Sequence, residues 1–152
     1  MIADRLAELG IVLPAVAAPA GAYVPAVVHD GLVFTAGQIP FVDGALPTTG
    51  KVGPGGVDPE VAKDLARVCA LNALAAVADV LGSLDRVTRV VKLTGFVASA
   101  SGFTGQPGVI NGASEVLGEI FGEAGRHARS AVGVAELPLG APVEVELIVA
   151  FE

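Results

Sequence analysis

Apolar residues fall at Ile2, Leu6 and Leu9 with charged positions between them, the spacing of one face of a short helix that Gly10 ends. Pro14 to Gly21 breaks this pattern with proline and alanine, so residues 1–22 read as an N-terminal helix followed by a connector. Val24–Val28 and Leu32–Thr35 are β-rich runs on either side of Asp30-Gly31, a dipeptide that favours a tight hairpin. Gly37 to Gly56 is dense in glycine and proline and reads as loop or irregular edge. Asp58-Pro59-Glu60 then opens a helix: the aspartate can accept from free N–H groups, the proline suits the first turn, and the glutamate complements the helix dipole. That helix is expected to reach Leu81 and stop at Gly82, with Val68, Leu71, Leu74, Ala75, Ala78 and Leu81 along its apolar side.

The β-branched run Val87–Ala98 reads as a long central strand. A second helix is expected over Val109–Ala124, with Val109, Ile110, Val116, Leu117, Ile120 and Phe121 as its stripe and Gly125 as its end. Ser130–Leu137 and Val143–Phe151 read as a closing hairpin turned by Leu137-Pro138-Leu139-Gly140-Ala141-Pro142. Hairpin, helix, strand, helix and hairpin in that order make an α+β pattern: a sheet with two helices on one face. The last strand is apolar on both sides, through Val143, Val145, Leu147, Val149 and Phe151 one way and Ile148 and Ala150 the other. The face away from the helices therefore needs cover, which sheet-to-sheet oligomerisation would supply.

Composition points the same way. The 152 residues suit one domain spanning 1–152. They are 53% hydrophobic and 16% charged, where about 25% charged is usual. A chain of this size buries about 70% of its unfolded surface, so part of the outside is expected to be covered by another subunit. Sixteen acidic residues against nine basic ones give a net charge of −7, which repels a phosphate backbone and argues against nucleic acid as a partner. The single cysteine, Cys69, allows no internal disulfide, and with His29 and His127 as the only histidines there is no zinc-type cluster. Ile11–Ala22 lacks the positive flank of a signal peptide, and Leu65–Leu81 is interrupted by Arg67, Asn72 and Asp79 and is shorter than a membrane span. A cytoplasmic protein with no membrane contact is expected.

Chemistry is expected at the end of the chain. Glu144 and Glu146 share the second side of the last strand with Ile148 and Ala150, and an acid on an apolar face needs a partner. Two readings fit. In one, both acids lie at an exposed strand start and Arg129 caps the preceding helix at its C-terminal carbonyls. In the other, Arg129 meets a carboxylate across a subunit interface, because a closing hairpin would hold the two residues far apart in one chain. Two other segments imitate nucleotide motifs and fail. Gly44 to Lys51 has five residues between its glycines where a P-loop has four, with Val52 where Ser or Thr is needed, and Gly53-Pro54-Gly55-Gly56 lacks the third glycine of a dinucleotide fingerprint.

Four stretches in order, Leu32-Val33-Phe34-Thr35-Ala36-Gly37-Gln38-Ile39-Pro40, Val90 to Val97, Ala128-Arg129-Ser130-Ala131-Val132-Gly133-Val134, and Leu137-Pro138 with Val143-Glu144-Val145-Glu146, resemble the RidA (YjgF-type) family between about Tyr23 and Glu152. Ala36 stands where many deaminating members carry serine. The segments Gly44–Gly56 and Ser99–Pro107 look longer than in compact members, which marks a divergent branch. The resemblance implies a chorismate-mutase-like α+β fold assembled as a homotrimeric barrel with a ligand cleft at each subunit interface. It implies hydrolysis of reactive 2-imino and enamino acids to 2-keto acids and ammonia, with no metal or organic cofactor. It assigns Arg129 to the substrate carboxylate, Glu144 to the attacking water, Gly37 and the Ala131 backbone to the carboxylate pocket, Asn111, near the start of the second helix, to the same pocket, and Tyr23 to its closure from the neighbouring subunit. The alternative is a non-catalytic protein that binds or senses a small carboxylate in the same cleft. Ribonuclease action, a label carried by some relatives, fits the charge poorly.

Overall fold

The computed structural model describes residues 1–152. Its elements in chain order are α1 (Ile2–Glu8), β1 (Ala26–His29), β2 (Leu32–Thr35), α2 (Pro59–Leu81), β3 (Val87–Ala98), α3 (Gln106–Phe121), β4 (Ala128–Val134) and β5 (Val143–Phe151). The strands form one mixed sheet in the order β1-β2-β5-β3-β4, with α2 and α3 packed on one side. The first hairpin forms as the sequence predicts: Asp30 and Gly31 both take positive φ, 48° and 76°, the backbone pair that a two-residue turn compatible with sheet twist requires.

Asp58 caps α2 by accepting from the Glu60 N–H at 2.7 Å, and Gly82 ends it in the left-handed conformation at φ 83°. The buried side of α2 is broader than the predicted stripe. Leu65, Cys69, Asn72, Ala73 and Val77 are buried with Leu74, Ala75 and Leu81, whereas Val68, Leu71 and Ala78 are only half buried. A helix gripped by the sheet on one flank and α3 on another buries more than one stripe, and its many alanines let both neighbours approach closely. The thiol of Cys69 lies wholly inside, 3.8 Å from the Val143 carbonyl oxygen. Helix α3 buries Val109, Ile110, Val116, Leu117 and Ile120 as predicted, with Phe121 partly covered.

The closing hairpin is not formed. β4 pairs in parallel with β3, with Leu93 opposite Arg129, and β5 lies antiparallel between β2 and β3. The Leu137–Pro142 segment does reverse the chain, through a 3₁₀ turn at Pro138–Gly140, but it carries β5 past β3 rather than beside β4. Parallel neighbours need a crossover, and α3 is that crossover; the arrangement buries the apolar stripe of α3 against the strands it joins. β5 takes the middle of the sheet, with Val143, Val145, Leu147 and Val149 buried on the helix side and Glu144, Glu146, Ile148 and Ala150 only half buried on the other.

On the face away from the helices, alternation from the register brings Val27, Phe34, Phe96, Val132 and Ile148 together with Lys92, Thr94, Glu144 and Glu146. Val27 is 51% exposed, Val132 44% and Phe34 39%. No helix is long and apolar enough to cross a membrane.

Candidate functional site

The residues predicted for one pocket occupy two places in the chain. Glu144, Gly37 and Tyr23 line one cavity of about 230 Å³ at the end of β5. Arg129, Asn111 and Ala131 belong to a second group beside α3.

The first group is organised by β5. Beyond Thr35 the chain stays along β5, because Gln38 and Val145 exchange backbone hydrogen bonds at 2.8 and 3.0 Å. This holds Gly37 against the side chain of Glu144. Asn72, buried on α2, donates its amide to the carbonyls of Ile39 and Phe41 at 3.1 and 3.2 Å, so the helix layer fixes the wall formed by residues 39–41. Tyr23, which the resemblance assigned to a neighbouring subunit, stands in the cavity of its own chain, where its hydroxyl accepts from the Ala20 N–H at 3.1 Å.

Glu144 is half buried in this largely apolar cavity. Removal from water pushes its carboxyl above the ordinary glutamate range, and the negative charge of Glu146 two residues on pushes it the same way. Neither acid lies at an exposed strand start, as one sequence reading had them, and neither is paired with a cation. Glu144 thus holds its proton to higher pH than a surface carboxylate does.

Arg129 lies on β4 and points to the helix side. Its Nη1 donates to Asn111 Oδ1 at 2.8 Å and to Ser114 Oγ at 3.1 Å, and Nη2 to the Pro107 carbonyl at 3.4 Å. These partners lie between the first turn and the middle of α3, so Arg129 does not cap that helix at its C-terminal carbonyls. All three are neutral, and no carboxylate lies within ion-pair distance. The guanidinium is oriented but not neutralised, as a carboxylate-binding arginine has to be. Ala131 follows two residues along the same side of β4, opposite Gly95 and packed on the core. His127 lies just upstream; burial lowers its pKa and the Arg129 charge lowers it further, while a contact with the Ala128 carbonyl opposes them.

Arg129 and Glu144 are separated within the chain, though not by a hairpin. β3 lies between their strands, a distance of about 10 Å across the sheet, and they emerge on opposite faces, since Arg129 shares a side with Leu93 and Glu144 alternates with buried Val143 and Val145. Ser114 had no part in the sequence reading; its signal was its place one turn after Asn111, which sets both side chains on one face of α3. No group of three or more His, Cys, Asp or Glu side chains stands close enough to hold a metal ion.

A family model described as "YjgF/chorismate_mutase-like, putative endoribonuclease" matches residues 3–150. Protein TCP17 of Trypanosoma cruzi is 48% identical over 149 residues, covering 97% of this chain and 92% of its own. The crystal structure of Atu1372 from Agrobacterium tumefaciens, a protein with unknown function, superposes with a TM-score of 0.91 at 45% identity, covering 99% of this chain and 92% of that one. That of Escherichia coli TdcF with bound serine superposes with a TM-score of 0.67 at 26% identity, covering 93% and 96%.

Proposed function

The chain belongs to the YjgF/chorismate-mutase-like family, and from that premise we propose that it hydrolyses reactive 2-imino and enamino acids to 2-keto acids and ammonia. The observation that carries this reading is the division of labour between two half-sites. One holds a guanidinium without a counter-charge; the other holds a desolvated carboxyl beside an apolar cavity. Each lacks what the other has, and they leave the sheet on opposite faces. A homotrimer with clefts between subunits would bring Arg129 of one protomer to Glu144 of the next and would cover Phe34, Val27 and Val132.

In this reading Arg129 holds the substrate carboxylate through charge-assisted hydrogen bonds. The protonated imine carbon is already electrophilic, so the site has to position one water and manage its protons. The water oxygen bonds to the imine carbon while a water proton passes to Glu144. Glu144 returns a proton to the nitrogen of the resulting carbinolamine. The carbon–nitrogen bond then breaks as the carbinolamine hydroxyl gives its proton to the Glu144 carboxylate and the carbonyl forms, and ammonia leaves. A carboxyl with a raised pKa suits both transfers. The serine in TdcF, a small molecule carrying a carboxylate and an amine, supports the ligand class and equally favours the second reading, a protein that binds such molecules without turnover.

The test generates 2-iminopropanoate or 2-iminobutanoate with an amino-acid oxidase and follows loss of the semicarbazide-trapped product. Accelerated loss with wild type, reduced roughly 10²-fold or more in Arg129→Ala, is expected. Full activity in the variant overturns the role given to Arg129, and no gain over buffer overturns catalysis; 2-keto acids that then raise the melting temperature without turnover establish the binding reading. Light scattering reads the subunit count.

A further inference from the structure

The outer wall of the Glu144 cavity comes from the segment between α1 and β1. Ala17 to Ala20 line it together with Tyr23. The segment is fastened at its ends. Upstream, Ile2, Leu6, Leu9, Ile11 and Leu13 pack on the core, Arg5 Nε donates to the Glu119 carbonyl at 2.8 Å, and the Ile11 N–H donates to the Leu6 carbonyl at 2.9 Å. Downstream, Ala20 is held by the Tyr23 hydroxyl. Between these points residues 12–19 make no hydrogen bond with the rest of the protein.

Beside this stretch lies a second cavity of about 370 Å³, which reaches Asn72 and shares Ala17, Ala18 and Phe41 as lining with the first. Ala17, Ala18 and Phe41 are thus common walls of the carboxyl cavity and a larger space. Methyl groups fill little volume, and close packing is what excludes a ligand group from a site. A wall without hydrogen bonds also gives way at little cost. No lysine or arginine lines either cavity, so a second anionic group would sit unpaired beside Glu144.

We infer that Ala17 and Ala18 are specificity-determining residues: they set the length of the ligand side chain accepted beside Glu144, and the cavity behind them takes neutral aliphatic side chains too long for the first. This rests on the Glu144 cavity being the reacting site. Side chains of branched or straight hydrocarbon enter under the strap, and acidic ones are refused.

The experiment compares wild type, Ala18→Leu and Ala17→Leu on imines generated from alanine, leucine and glutamate. Wild type accepts the first two and turns over the glutamate-derived imine at least tenfold less well. Either leucine variant lowers kcat/KM for the leucine-derived imine at least tenfold while changing the alanine-derived imine less than threefold. Equal loss on both substrates, or no change on either, overturns the assignment. If wild type hydrolyses no imine, the catalytic reading falls and the wall is judged by calorimetric binding of pyruvate and 4-methyl-2-oxopentanoate. Selective weakening of the longer acid in the variants sustains it; parallel weakening, or no binding of either acid by wild type, ends it. Circular dichroism on each variant excludes loss of fold as the cause.

Discussion

Gly37 and Glu144 touch so closely that a methyl group on Gly37 would lie 2.5 Å from Glu144 Oε2 and 2.8 Å from its carboxyl carbon. The two residues are held side by side by the backbone exchange between Gln38 and Val145, so the glutamate side chain would have to yield. Gly37→Ala is expected to swing the carboxyl out of the cavity and lower imine hydrolysis by about 10²-fold, close to the loss in Glu144→Gln. Far-ultraviolet circular dichroism of Gly37→Ala should match wild type. Activity retained within threefold would mean that Glu144 does not act from this position.

The raised Glu144 carboxyl makes two signed predictions. If the ionised carboxylate receives the water proton, kcat/KM falls as pH drops through its pKa. Glu146→Gln removes the repulsion but not the burial that is the larger cause, so the acid limb of the profile should move partway to lower pH. The folded protein holds the Glu144 proton more tightly than the unfolded chain, so ionisation opposes folding. Stability should decline as pH rises from the ordinary carboxylate range through the raised value. Glu144→Gln should flatten that part of the curve, as urea titrations at a series of pH values would reveal.

A counter-charge beside Arg129 should disable it without harming the fold. In Asn111→Asp a carboxylate would replace the amide oxygen now 2.8 Å from Nη1. The pair would occupy the guanidinium in place of the substrate. KM is expected to rise at least tenfold with no fall in melting temperature. Ser114→Ala, which removes one neutral partner at 3.1 Å, should change KM less.

Asn72 joins the helix layer to the cavity wall. Asn72→Ala leaves the Ile39 and Phe41 carbonyls without that donor, at a cost of about 2 kcal/mol. For a chain of this length the melting temperature should fall by about 4–8 °C. Calorimetry reads that shift, and the kinetic effect should track the displacement of residues 39–41.

Local signals were the legible ones. Asp58-Pro59 and Gly82 bound α2, Asp30-Gly31 turns the first hairpin, and the α3 stripe is buried as its spacing requires. Strand order was not legible at the end of the chain. The proline–glycine turn after Leu137 states that the chain reverses, not which strand it returns beside, and the position of β5 between β2 and β3 buries its Val143, Val145, Leu147 and Val149 side under the helices. The same error hid the site's geometry. A hairpin would have separated Arg129 and Glu144 along the strands, whereas the parallel β3–β4 pair also turns them to opposite faces. Glu144 was flagged by the alternation of the last strand, whereas Tyr23 and Gly37, which line the same cavity, were assigned only through family resemblance. Ser114 was missed because a serine on a helix carries no signal until its neighbour is known to be an arginine from another strand.

The enclosed thiol of Cys69 gives the molecule a built-in clock. Burial, and secondarily the nearby Glu144 charge, keep that sulfur protonated well above the ordinary range, so an alkylating reagent finds no reactive thiolate while the sheet and α2 stay together. With no second cysteine to compete, the pace of labelling measures how often the whole core parts, and a ligand that binds the folded protein should slow it.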